Sequence, residues 1–163
     1  MKALLQRVSS SKVEVEGKVV GQISKGLLVF IGIEKQDDIM SSDKMVKKIL
    51  SYRVFPDPDE KMNLSIRDIN GELLIVSQFT LAADTKNGTR AGFSTAMLPT
   101  EAEKLYNNFL EKTQSMGTIT ESGSLRGQAF LILQDPRLAI KLPAVHLFFV
   151  FVHEGISTSG KDT

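Results

Sequence analysis

Gly71-Glu72-Leu73-Leu74-Ile75-Val76-Ser77-Gln78-Phe79-Thr80-Leu81 holds the sharpest change of character in the chain. A turn over Ile69-Asn70-Gly71-Glu72 opens it, four aliphatic residues follow without polar alternation, and the run then ends in hydroxyl and amide side chains. An apolar run of this kind, bounded by a turn, reads as a strand ending in polar groups. A longer run, Leu27-Leu28-Val29-Phe30-Ile31-Gly32-Ile33 after the Lys25-Gly26 turn, is expected of a strand buried on both faces, and that strand is expected to be central. Polar groups at the end of a buried strand are where sites tend to be built. Ser77, Gln78 and Thr80 are therefore the first candidates for chemistry, with Phe79 among them as an apolar contact.

Outward from these two runs, the first half of the chain reads as further strands. Met1 to Val8 is one, Lys12-Val13-Glu14-Val15 alternates, Glu16-Gly17-Lys18 turns, and Val19 to Ile23 returns. From Ser42 to Tyr52 the spacing becomes helical: Met45, Val46, Ile49 and Leu50 share one face, while Lys44, Lys47 and Lys48 form a solvated one. Pro56 and Pro58 mark an exposed loop. Asp84 to Gly92 reads as a basic loop carrying Lys86 and Arg90, with Asn87-Gly88 as its turn. Thr100 and Glu103 have the spacing of a capping box, opening a helix whose Leu105, Tyr106, Phe109 and Leu110 face the core until Gly117 ends it. Strands with two helices place the chain in the α+β class.

Composition narrows the function. With 163 residues, 42% of them hydrophobic and 24% charged, the chain fits one globular domain, expected to run over residues 1–155 with a disordered tail at 156–163. The absence of cysteine excludes disulfides, zinc-thiolate sites, iron–sulfur clusters and a cysteine nucleophile. Only His146 and His153 are present, too few for a three-histidine metal site, and a serine triad would have to draw on one of them. No glycine-rich phosphate loop is visible, so neither cofactor nor metal is expected. A net charge of +1 is too small for a protein that coats long nucleic acids, but it leaves room for a local RNA contact around Lys86 and Arg90. The most apolar segment, Leu138 to Val152, is shorter than the roughly 20 residues a membrane helix needs, and it contains Lys141, Pro143 and His146. Met1 to Val8 is interrupted by Gln6 and Arg7 before a signal-length apolar stretch forms. A cytoplasmic protein with no membrane partner is the expectation. On the residues alone, Ser77 to Thr80 stays open between a site and a strand end whose hydroxyls satisfy nearby backbone.

Several stretches, in order, resemble the D-aminoacyl-tRNA deacylase family: Met1-Lys2-Ala3-Leu4-Leu5-Gln6-Arg7-Val8, Gly26-Leu27-Leu28-Val29, Lys61-Met62-Asn63-Leu64-Ser65 and, most specifically, the segment from Gly71 to Leu81. The basic loop with Gly88 and Arg90, then Phe93 and the helix through Leu105-Tyr106 and Phe109, carry the likeness to about Gly123. The resemblance implies a barrel-like core of mainly antiparallel strands with two flanking helices, assembled as a homodimer with active sites at the subunit interface. It implies an ester hydrolase that releases D-amino acids from tRNA. Ser77, Gln78 and Thr80 would be its catalytic residues, and Phe79 would line the pocket for the terminal adenosine. Thr80 and its neighbours would position the substrate while the ribose 2′-hydroxyl assists water, so no histidine base is required. Chiral choice in the family is attributed to a cis Gly-Pro pair inserted from the partner subunit, and Arg7 is similar to the residue that holds that pair in place.

The likeness stops near residue 124. The family's closing Asn-Asp-Gly-Pro-Val-Thr has no counterpart, and the nearest candidate is Gln134-Asp135-Pro136-Arg137, in which Pro136 would be the substitute wedge. Residues 124–155 are then either a divergent segment, with Leu131-Ile132-Leu133 still supplying a strand, or the product of a shifted reading frame that deprives the sheet of one. The abrupt onset of the mismatch favours the second. Three functions follow: a D-aminoacyl-tRNA hydrolase that also accepts glycyl-tRNA, a catalytically impaired binder of the tRNA acceptor end, and a dimeric structural protein without an RNA partner.

Overall fold

The computed structural model describes residues 1–15, 17–84, 92–124, 129–135, 138–143 and 150–153. Its centre is the strand β4 (Gly26–Gly32), in which every residue is buried. On one side β4 pairs antiparallel with β1 (Lys2–Val8), Leu5 opposite Val29. On the other it pairs parallel with β7 (Glu72–Ser77), Ile31 level with Ser77. β8 (Thr120–Ser124) extends the parallel side and β11 (Val150–His153) the antiparallel side, giving a five-stranded sheet in the order β11-β1-β4-β7-β8. A second, wholly antiparallel sheet runs β10-β9-β2-β3, from β2 (Ser10–Val15), β3 (Lys18–Ile23), β9 (Ala129–Asp135) and β10 (Leu138–Pro143). β5 (Phe55–Pro56) and β6 (Met62–Leu64) make a small separate ladder.

The two apolar runs lack alternation because each face of the central sheet is covered by a different layer. Leu27, Val29, Ile31, Leu73 and Ile75 point to the helices α1 (Ile39–Ser51) and α2 (Pro99–Ser115), meeting Met45, Val46, Ile49, Leu50, Leu105 and Phe109. Leu28, Phe30, Leu74 and Val76 point the other way, onto Val13 and Ile23 of the second sheet. Each such side chain contributes about 1.5–3 kcal/mol through its removal from water. The order of layers is helices, five-stranded sheet, four-stranded sheet.

Some expectations are corrected here. The described strands do not close into a barrel: they lie in two stacked sheets plus the small ladder. The ladders are mainly antiparallel, as expected, but the centre of the larger sheet is parallel, β4 to β7 to β8. Thr100 is not a cap. Leu98 holds the N-cap position without a side-chain bond, Pro99 begins α2, and its fixed φ suits the first helical position. The first helix also begins earlier than its apolar spacing suggests, at Ile39, because the Asp38 carboxylate accepts from the Ser41 amide as an N-cap. Gly117 does stand just past α2 at φ +81°, the left-handed position that glycine takes most easily. Ala129–Asp135 forms a strand on β2, and it includes the expected Leu131-Ile132-Leu133. Pro136, the 156–163 tail and His146 lie outside the described residues.

At the end of the sheet where β4 finishes, Glu34 accepts from the Lys2 ammonium at 3.2 Å and from the Met1 amine at 3.3 Å. Asp37 also accepts from the Met1 amine and takes the Glu34 amide at 2.7 Å. Burial alone raises the Glu34 pKa, but the hydrogen bond and charge of Lys2 and the amine outweigh it, leaving the carboxyl below its ordinary value. A lowered carboxylate pKa means that the tie stabilises the fold fully above the ordinary value of 4.5, and that the gain is lost as pH falls from there through the lowered pKa. Glu34→Gln should flatten the acid limb of a stability-versus-pH curve below about pH 5; an unchanged limb would show that the tie carries none of it. Leu28→Ala should lower the unfolding free energy by about 2–5 kcal/mol with an unchanged urea m-value, because neither layer can collapse onto the hole.

Candidate active site

Both parallel strands end at the same edge of the sheet, and the chain there turns sharply. Ser77 is the last residue of β7, Gln78 is extended at φ −139°, and Phe79–Ala82 form one 3-10 turn. Such a turn needs close support, which Gly32 supplies at the end of β4. A Cβ on that glycine would stand 2.6 Å from the Leu81 Cβ and 3.3 Å from the Gln78 carbonyl oxygen. The turn is seated directly on the β4 backbone and is fixed by the Gln78 amide donating to the Ile31 carbonyl at 2.8 Å. Crevices beyond the carboxyl ends of parallel strands are where open α/β sheets bind ligands.

Within the turn, the Gln78 side-chain amide donates to the Thr80 hydroxyl oxygen. That oxygen is thereby held as an acceptor while its own proton stays available to donate. Ser77 and Gln78 are partly buried, and Thr80 and Phe79 are exposed, Phe79 by 65%. Ser77 to Thr80 thus stand at an open edge and not inside packed protein. From α2, the Tyr106 hydroxyl donates to the Ile75 carbonyl at 2.8 Å. Burial pushes its pKa above the ordinary phenol range, so it remains a donor.

A second wall runs beside the turn. Gly92 and Asp84 exchange backbone hydrogen bonds at 2.7 and 3.0 Å, and the Thr95 hydroxyl donates to the Ala82 carbonyl. Farther along, Lys35 donates to the Thr95 carbonyl at 2.9 Å and Met97 to that of Ile33 at 3.1 Å. The stretch from Gly92 to Met97 is thus tied both to the turn and to the chain leaving β4.

The expected site residues do not all meet. Ser77, Gln78, Phe79 and Thr80 are together by virtue of their order in the chain. Arg7 is not with them: it pairs with Leu27, which is level with Leu73, four residues back from Ser77 on β7. At about 3.3 Å per residue that is roughly 13 Å along the strands. Its guanidinium donates to the Met62 sulfur at 3.3 Å. Lys86, Arg90 and Pro136 lie outside the described residues. Gly32 and Thr95 carry no local sequence signal for a role at this edge, since only the folded chain brings them against the turn. Among the described residues no cluster of His, Asp or Glu is arranged to hold a metal, and no helix is long and apolar enough to cross a membrane.

A family profile described as D-Tyr-tRNA(Tyr) deacylase matches residues 4–130. The chain belongs to that family. A D-aminoacyl-tRNA deacylase of Pseudomonas savastanoi pv. phaseolicola is 54% identical over 138 residues, which span 83% of this chain and 95% of that protein. One from Pseudoalteromonas translucida is 50% identical over 123 residues, 76% of this chain and 85% of that protein. Among solved structures, one titled c-Myc DNA Unwinding Element Binding Protein superposes with a TM-score of 0.78 at 34% identity, covering 90% of this chain and all of that one. The deacylase family model ends at residue 130, inside β9, so the segment carrying Gln134-Asp135-Pro136 lies past the match.

The seating of the turn on Gly32 is open to a direct check. Gly32→Ala should cost about 1–3 kcal/mol by overpacking, with amide chemical-shift changes concentrated at Gln78 to Ala82. Unshifted amides in that stretch would show that the turn does not rest on the glycine.

Proposed function

We propose that this protein hydrolyses the ester between a D-amino acid and the 3′ end of tRNA, releasing the free D-amino acid and tRNA. Family membership supports the reaction class, and the observation that carries the reading to this chain is the open edge from Ser77 to Thr80, built on rigid parallel strands. Water adds to the ester carbonyl, the carbonyl oxygen takes up negative charge, and the ribose oxygen leaves with a proton. No strong base is demanded of Thr80, because an aminoacyl ester is already activated. Backbone amides at the start of the 3-10 turn stabilise the oxyanion, while Ser77, Gln78 and Thr80 fix the substrate and the ribose 2′-hydroxyl assists water. Phe79 lies against the terminal adenosine. The 2.8 Å bond from the Gln78 amide to Ile31 is the kind of rigid support that such positioning needs.

The working unit is a homodimer in the cytoplasm. Pairing of subunits brings Arg7, remote from Ser77 within one chain, toward the partner's site, with Pro136 as the wedge that excludes an L side chain. A filter of that kind cannot exclude a missing side chain, so glycyl-tRNA is a substrate as well. Lys86 and Arg90 contact phosphates of the acceptor end, and the partner is RNA, not DNA. No cofactor or metal takes part. The whole chain up to residue 155 acts as one domain.

A second reading is favoured by one observation: Gln134-Asp135-Pro136-Arg137 stands where a Gly-Pro pair is expected. On that reading the protein binds the acceptor end without turnover. Purified protein incubated with D-tyrosyl-tRNA and L-tyrosyl-tRNA separates the two. The hydrolase should release tyrosine from the D-ester at least 100-fold faster than from the L-ester, with Thr80→Ala reducing the rate. Salt-sensitive binding of tRNA with both esters decaying at their uncatalysed rates would leave only the binder. Loss of both binding and turnover would remove the RNA partner altogether.

A further inference from the structure

Phe79 and Phe93 are exposed by 65% and 43%, yet their rings touch each other, with centroids 5.4 Å apart and planes tilted by 54°. The separation and tilt are those of a favourable aromatic pair, and the tilt leaves an outer face of each ring uncovered. Isolated exposed phenylalanines need no explanation; two in contact beside a cluster of polar side chains mark a surface that is completed by something else. The pair is also held in place. Phe79 belongs to the turn seated on Gly32, and Phe93 is fixed by its own carbonyl accepting from the Ala96 amide at 3.1 Å and by the Gly92–Asp84 exchange next to it. Thr95, two residues on, is bonded to Ala82 of the same turn. The rings are therefore a fixed feature of the edge on which Thr80 stands.

We propose that Phe93 is a substrate-contacting residue, forming with Phe79 a two-ring platform at the mouth of the site that receives a flat aromatic ring of the substrate. The inference rests on the reading of Ser77 to Thr80 as the acyl site. Two parts of an aminoacylated RNA end carry such a ring: an unpaired terminal base, which aromatic side chains commonly stack, and an aromatic amino-acid side chain. The chemistry is shared, and the role of Phe93 is to lower KM while leaving the chemical step to the polar groups.

Four acceptor-stem minihelices test this, ending in adenosine or in an abasic ribose and charged with either D-tyrosine or D-alanine. Phe93→Ala should raise KM about ten-fold, with kcat within two-fold, for those substrates that carry the contacted ring. Phe93→Tyr should restore the wild-type value. An effect that disappears with the abasic end assigns the platform to the base, and one that disappears with D-alanine assigns it to the amino acid. An equal penalty on all four substrates, the ringless one included, overturns the proposal, because Phe93 then acts through the fold alone; so does an unchanged KM on all four. If the unaltered protein hydrolyses none of them, it is the acyl-site reading that has failed. Equilibrium binding of the same four charged minihelices then decides the platform: Phe93→Ala must weaken about ten-fold only those that carry the contacted ring, and equal weakening of all four, or none, overturns it.

Discussion

The parallel pairing of Gly26–Gly32 with Glu72–Ser77 is the constraint on which the rest of the architecture depends. Parallel strands place their carboxyl ends side by side, so the pairing decides that Gly32 and Ser77 finish at one edge and that the next turn is built there. The approach is close at both ends of the ladder. A Cβ on Gly26 would fall 1.9 Å from the Glu72 carbonyl oxygen, and one on Gly32 would press on Leu81. Glycine is needed at these two places for lack of volume and not for an unusual φ. Between them every side chain is sealed by helices on one face and by the second sheet on the other.

A strand sealed on both faces is the least mobile part of such a fold, since opening it exposes two cores at once. That rigidity matters for chemistry that relies on placement. A hydroxyl held by a neighbouring amide, a turn bonded to an adjacent strand and a buried Tyr106 hydroxyl on the Ile75 carbonyl all limit how far Thr80 can drift. On the proposed mechanism no side chain has to be ionised, and the expense of ordering has been met by folding. The polar groups, the aromatic pair and the wall from Gly92 to Met97 then form one fixed edge, tied together through Thr95 and Ala82.

The central apolar runs, both helices and the edge position of Ser77 to Thr80 were legible because each is written in local periodicity or in an abrupt change of polarity. Met45, Val46, Ile49 and Leu50 do face the core, and β4 is buried throughout. Asn70, in the turn over Ile69-Asn70-Gly71-Glu72, has a positive φ. The errors fall where local signals compete. Thr100 and Glu103 have capping spacing, but Leu98-Pro99 just before them starts the helix, because a proline ring suits the first helical position better than any later one. The extent of sheet closure is not local at all, and the expectation of a barrel gave way to two stacked sheets.

The amino-acid sequence by itself determined the class of fold, the strand that ends in polar groups and the family to which the chain belongs, since these rest on residue types at short range. Tertiary structure alone decided that the central strands run parallel, that Gly32 supports the turn, that Phe93 meets Phe79, and that Arg7 stands about 13 Å back along the sheet from Ser77. The physical reason is the same in each case. Such contacts join residues distant in the chain, and their geometry is set by how layers pack against one another, which no short window of sequence records.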